Sequence, residues 1–281
     1  MAKLDQRLNA YRPDLADARL RGLIAAGRFV EGRLMQVVDA LIAVHQAPRF
    51  DSMQISQALM GETLHVFEAQ EGWAFVQLER DNYVGYVSAD ALSSQMTVPT
   101  HRIAVPSTFL YPAPDIKTQP ATIVTMNAAV TVTGDDEKFA QLANGRFVYR
   151  YHLQPIGKAE SDFVTVAEMF RHAPYCWGGK SVHGLDCSGL VQLSLEACGI
   201  ACPRDTDMQE EHLGTALLVN DLDGLKRGDL VFWSGHVGIM IDEGTLFHAN
   251  GHHMTTVAEP LRNAVDRIAT GGNQVTSIKR L

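Results

Sequence analysis

At 281 residues the chain holds about two domains of ~150 residues, or three where some are small barrels. Acidic residues outnumber basic ones by 32 to 24, giving a net charge of −8, so the chain offers no general basic face to a nucleic acid. A hydrophobic share of 46% is that of a globular protein and excludes the disordered and fibrous classes.

No apolar run approaches the ~18–20 residues of a bilayer crossing, and the stretch 40–44 stops at His45. Asp5, Arg7, Arg12, Asp14 and Asp17 interrupt any secretion-signal core near the start. The four cysteines, Cys176, Cys187, Cys198 and Cys202, are too few and too clustered for a disulfide scaffold. The expectation is a cytoplasmic protein with reduced thiols and no membrane partner.

Residues 1–30 are charged and rich in Leu and Ala, with Leu15, Ala18, Leu20 and Ile24 at helical spacing behind Pro13, which predicts a short helical lead-in. From 31 to 97 the pattern turns to short β-branched and aromatic runs, separated by Glu71-Gly72 and Asp81-Asn82, and predicts a small closed barrel. A weaker version of the same rhythm follows from 98 to 157, with turns at Gly134-Asp135 and Asn144-Gly145 and with His152-Leu153 where Ala91-Leu92 stood. It predicts a second barrel of the same kind. Residues 158–281 put helices first and antiparallel strands afterwards, the α+β signature.

The chemistry is concentrated in PYCWGGKSVHGLDCSGLVQ, from Pro174 to Gln192. Gly178, Gly179 and Gly184 make a pliable loop, Asp186 suits a helix N-cap, and Cys187 falls in the first turn of a buried helix. Backbone N–H groups and the helix dipole favour an anion there, so the thiol is expected below its free pKa of ~8.5. A thiol nucleophile also needs a base that titrates near neutrality. His236, in RGDLVFWSGHVGIM, is the candidate, and His248, on the strand expected next, is placed to fix its tautomer. Cys198, Cys202 and His212 lack the second ligand pair that a zinc site requires.

PYCWGGKSVHGLDCSGLVQ, PRDTDMQ, RGDLVFW, GHVGIM and LFHA, in that order, resemble the NlpC/p60 cysteine peptidases, which have a compact papain-like fold and act on bacterial cell-wall peptides. The resemblance implies Cys187 as nucleophile, His236 as base, His248 as orienting residue and Tyr175 as an O–H donor beside the reacting carbonyl. With two SH3-like barrels ahead of it, the catalytic region further resembles the γ-D-glutamyl-L-diamino-acid endopeptidases of murein peptide recycling. That likeness implies a murein peptide substrate with a free N-terminal L-alanine. Its ammonium would be met by Asp186, Glu62, Ser188 and Tyr83, a substrate carboxylate by Arg204 with Thr206 nearby, and an apolar wall would come from Trp177. No cofactor or metal is implied. Two rival readings are another papain-like amidase or acyltransferase, and a wall-binding adaptor whose catalytic fold is dead.

Overall fold

The computed structural model describes residues 4–218 and 222–281. They form two compact units, 1–156 and 157–281.

The main sheet of the first unit has seven antiparallel strands in the order Gln54–Leu59, Leu41–His45, Val84–Ser88, Trp73–Leu78, Thr63–Gln70, Arg33–Val37, Leu92–Ser93. Its two edges do not pair with each other, so the ladder itself does not close as the sequence predicted. The strands after residue 97 in this unit form small antiparallel groups: Ala129–Val130, His101–Ile103 and Leu153–Pro155; Ser107–Leu110 with Thr122–Thr125; and Val132–Asp135, Phe139–Leu142 and Phe147–Tyr149. These groups share a core with the first sheet, because Leu59 and Met60 pack with Ile103, Leu110, Val124 and Val148.

The predicted N-terminal helix is not formed. Its place is taken by strands Leu15–Asp17 and Arg28–Val30, joined through a single 3-10 turn, Ala18–Leu20. Three successive residues, Leu15, Ala16 and Asp17, are buried, which one face of a helix cannot present. Ala10 and Leu15 pack on Phe67, Phe75 and Val84, while Arg12 and Arg28 both bond the Glu68 carboxylate. Tertiary burial outweighed a helical spacing of modest strength.

In the second unit a six-stranded antiparallel sheet runs Thr215–Ala216, Val275–Arg280, Leu230–Trp233, His236–Met240, Thr245–Asn250, Thr255–Pro260. Among the described residues four helices accompany it: α1 (Phe163–Glu168), α2 (Cys187–Ala197), α3 (Thr206–His212) and α4 (Leu261–Thr270). Ten of the eleven residues of α2 are buried, so it lies in the core with its N-terminus inside the protein. The amphipathic α4 buries Leu261 and Ala264 against Trp233, Leu246 and Ile278.

Candidate active site

Close backbone approach builds the start of α2. Asp186 caps it, its carboxylate accepting from the Gly189 N–H at 2.6 Å and from the Gly178 N–H at 2.8 Å. A Cβ on Gly189 would sit 2.1 Å from the Gly179 carbonyl oxygen, and one on Gly184 would sit 2.5 Å from the Cys176 Cβ. The loop folds this tightly only because those positions carry no side chain.

Cys187 is the first residue of α2 and is buried. The backbone N–H groups of Val237 and Ser188 lie on the sulfur's side and favour its charged form. Val237 follows His236 on the neighbouring strand, so the sulfur lies against the segment that carries the imidazole. The expected depression of the thiol pKa is overturned. Burial, and after it the negative charge of Asp186, push the thiol up to about 12, outweighing the two N–H donors and Arg204. A helix N-terminus favours an anion, but a dry one disfavours any charge by more.

His236 opens its strand with its ring 5.6 Å from that of Trp233, centroid to centroid. Its Nε2 is 2.8 Å from Nδ1 of the wholly buried His248, which brings together the pair the sequence singled out. Burial, then the neighbouring His248, lower the His236 pKa to about 3. His248 is lowered too, by burial, against the opposing pull of Glu259. Thiol and both imidazoles are therefore neutral at neutral pH.

Two further members of the chain were missed in the sequence. Nε2 of His248 is 2.8 Å from Oε1 of Glu259, and the same carboxylate oxygen accepts from Arg267 of α4. A signal for Glu259 did exist. His248 pairs with Val257 in the hairpin, and Glu259, two residues on, falls on the same sheet face and diagonally across from His248. Burial alone would raise the Glu259 pKa, but the hydrogen bond with His248 and the charge of Arg267 hold it below the usual glutamate value.

Tyr175, half-buried, bridges in parallel to Leu185. Burial first, then the adjacent Cys187 and Asp186, raise its hydroxyl pKa well above the ordinary value, so it stays a neutral O–H donor. Arg204, 1% exposed, does not face an open groove. Its fork meets Asp186 at 2.6 and 3.0 Å, and the second nitrogen also donates to Ser188 Oγ at 2.8 Å. A buried carboxylate needs a counter-charge, and Arg204 supplies it. With the Ser188 hydroxyl at 3.3 Å added, Asp186 accepts from Gly178, Gly189, Ser188 and both Arg204 nitrogens, which fills the roughly four lone-pair positions of a carboxylate. Trp177 is exposed, and Thr206 begins α3. Glu62 and Tyr83 are buried in the first unit, where Glu62 pairs with Arg80 and the Tyr83 carbonyl accepts from the Leu78 N–H.

The model of the NlpC/P60 family matches residues 172–269, and that of the bacterial dipeptidyl-peptidase Sh3 domain matches residues 44–92. A gamma-D-glutamyl-L-lysine dipeptidyl-peptidase of Bacillus subtilis is 27% identical over 221 residues, covering 71% of this chain and 73% of that protein. One of the same description from Bacillus cereus is 24% identical over 226 residues, covering 69% and 66%. A crystal structure of an NlpC/P60 family protein from Bacillus cereus superposes with a TM-score of 0.74 at 20% identity, over 88% of this chain and 99% of that one, a likeness of fold.

Proposed function

We propose that this chain, which carries an NlpC/P60 domain behind a bacterial SH3 domain, is a cysteine endopeptidase. It cleaves the bond between γ-D-glutamate and a diamino acid in peptidoglycan-derived peptides with a free N-terminal L-alanine. The observation that carries the reading is the 2.8 Å contact that commits Nε2 of His236 to His248, on a strand whose next residue, Val237, has its backbone N–H near enough to the Cys187 sulfur to favour the charged form. Nδ1 of His236 is then the nitrogen left for the thiol proton.

Because thiol and imidazole both start neutral, proton transfer accompanies attack. The sulfur bonds to the γ-carbonyl carbon as its proton passes to His236, and the Tyr175 hydroxyl donates to the oxygen that gains charge. Collapse breaks the C–N bond, His236 returns the proton to the leaving amine, and a thioester remains. Water, deprotonated by His236, then releases L-alanyl-γ-D-glutamate and the free thiol. The preference for a free amine rests on the likeness to the named relatives, since Asp186 already has its full set of donors. Trp177, exposed beside the nucleophile loop, is assigned to the apolar wall of the groove.

The test is digestion of L-Ala-γ-D-Glu-L-Lys, its diaminopimelate analogue and their N-acetylated forms, with products read by mass spectrometry. Release of L-Ala-γ-D-Glu, resistance of the acetylated peptides, indifference to EDTA and loss of turnover in Cys187→Ala are expected. Turnover that survives Cys187→Ala, or cleavage at another bond, would overturn the reading. The proposed setting is peptide recycling in the cytoplasm, where the four free thiols stay reduced, and cell fractionation tests it. We read residues 98–157 as a second SH3-like module, because Phe147–Tyr149, the 3-10 turn Arg150–His152 and Leu153–Pro155 repeat the sequence Val84–Ser88, Ala89–Ala91, Leu92–Ser93.

A further inference from the structure

A base is useful only if the nitrogen facing the acid is bare, and a neutral imidazole bears its single hydrogen on one nitrogen or the other. His236 and His248 alone leave this open: a hydrogen shared across their 2.8 Å contact can belong to His236 Nε2 or to His248 Nδ1. In the second arrangement His236 carries its hydrogen on Nδ1 and cannot take a proton there. Glu259 breaks the tie. An ionised carboxylate only accepts, and Arg267 gives it a second reason to stay ionised. The 2.8 Å contact with His248 therefore holds a hydrogen on His248 Nε2. His248 Nδ1 is then bare and accepts from His236 Nε2–H, which strips Nδ1 of His236.

We propose that Glu259, secured by Arg267 from α4, is the positioning residue that sets the tautomers of both histidines and so leaves the base nitrogen of His236 free. The statement about catalysis rests on the peptidase reading given above; the statement about hydrogens does not.

The experiment uses the full chain with 15N-labelled histidine, at a pH above 7, and reads each ring's tautomer from long-range proton–nitrogen correlations. In the parent, both His236 and His248 are expected to carry hydrogen on Nε2. Glu259→Ala is expected to give His236 a substantial Nδ1–H population and to lower kcat on L-Ala-γ-D-Glu-L-Lys on the order of 10²-fold, with KM within about twofold. A wrong tautomer in a serine triad costs ~10⁴ in kcat, and a lost supporting hydrogen bond 10–100-fold, so a mixed population falls between them. Glu259→Gln keeps an accepting oxygen and is expected to hold the parent tautomers and at least about a tenth of kcat. A folded amide spectrum separates these effects from unfolding, and if the alanine variant does not fold, the glutamine variant decides. Nδ1–H on His236 in the parent, or in a folded Glu259→Gln, overturns the proposal, as does an alanine variant with unchanged tautomers. A parent that shows the expected tautomers, and a variant that shifts them, while no peptide is cut, leaves Glu259 in its role and refutes the peptidase reading.

Discussion

Reactive thiols are ordinarily sought where the surroundings ionise them, yet Cys187 is held protonated by burial and by Asp186 beside it. The unliganded enzyme is therefore expected to react with iodoacetamide at pH 7 more slowly than a free cysteine. Removing the Asp186 charge while leaving Arg204 in place works in the other direction. Asp186→Asn should move the midpoint of the alkylation pH profile downward, and an unmoved midpoint would show that the carboxylate has no electrical hold on the sulfur. The same residues give a pH dependence of stability. The folded state lowers the His236 pKa from 6.5 to about 3, so its contribution is complete above pH 6.5 and is lost as pH falls through that window. The Cys187 thiol is raised from 9.0 to about 12, so its contribution is lost instead as pH rises past 9.0. Thermal melts between pH 7 and 4 should show Tm falling with acid, with a shallower fall in His236→Asn. Arg204→Met removes the counter-charge of a buried carboxylate that keeps its other donors, and a cost of about 3 kcal/mol is expected in urea unfolding, at the low end for a broken buried pair. The place of Cys187 at the start of α2 and the pairing of His236 with His248 were legible in the sequence because each residue belongs to a short local pattern. The turn of Arg204 onto Asp186 was not, because nothing local states that the Asp186 carboxylate is buried and needs a cation.

At the scale of elements, the α2 start was readable in outline: the structure caps the helix with Asp186, as the sequence predicts, and the helix ends just before Gly199. The unread part is why the loop ahead of it needs glycine. Gly178 has φ +72°, a backbone conformation strained for other residues, whereas Gly179, Gly184 and Gly189 are required by crowding. These two causes predict different costs. In Gly189→Ala the new Cβ meets backbone at 2.1 Å, and ~3 kcal/mol or more of destabilisation with loss of activity is expected. In Gly145→Ala, at φ +76° in a turn with open space around it, only the conformational cost of about 1 kcal/mol should appear, with activity unchanged. Equal losses in paired urea titrations would remove the crowding argument. The N-terminal segment is the converse case. Its helical spacing was real, but Ala10 and Leu15 gain more by packing on Phe67 and Phe75 than a short isolated helix gains from its hydrogen bonds.

At the scale of the whole molecule, the division of the chain at Ile156 and Gly157 follows from where its backbone hydrogen bonds go. The Ile156 N–H bonds the Thr100 carbonyl at 2.9 Å, inside the first unit, and the Glu160 N–H bonds the Ala197 carbonyl at 2.9 Å, inside the second. Between them residues 157–159 are exposed, and Gly157 has φ +90°. Nothing local in the sequence states that Leu59 and Met60 join the core of the following strands and tie residues 1–156 into one compact unit. Each unit has its own apolar core, Ile103, Leu110 and Val148 in one and Val231, Trp233 and Met240 in the other, and so is expected to resist proteases as a whole. Lys158 lies in the exposed stretch. Brief trypsin treatment is expected to cut first after Lys158, leaving one fragment that ends there and one that begins at Ala159, each persisting while the intact chain disappears. A first cut inside 31–150, identified by the masses of the fragments, would mean that the first unit opens more readily than the joint and that its shared core is weaker than its burial implies.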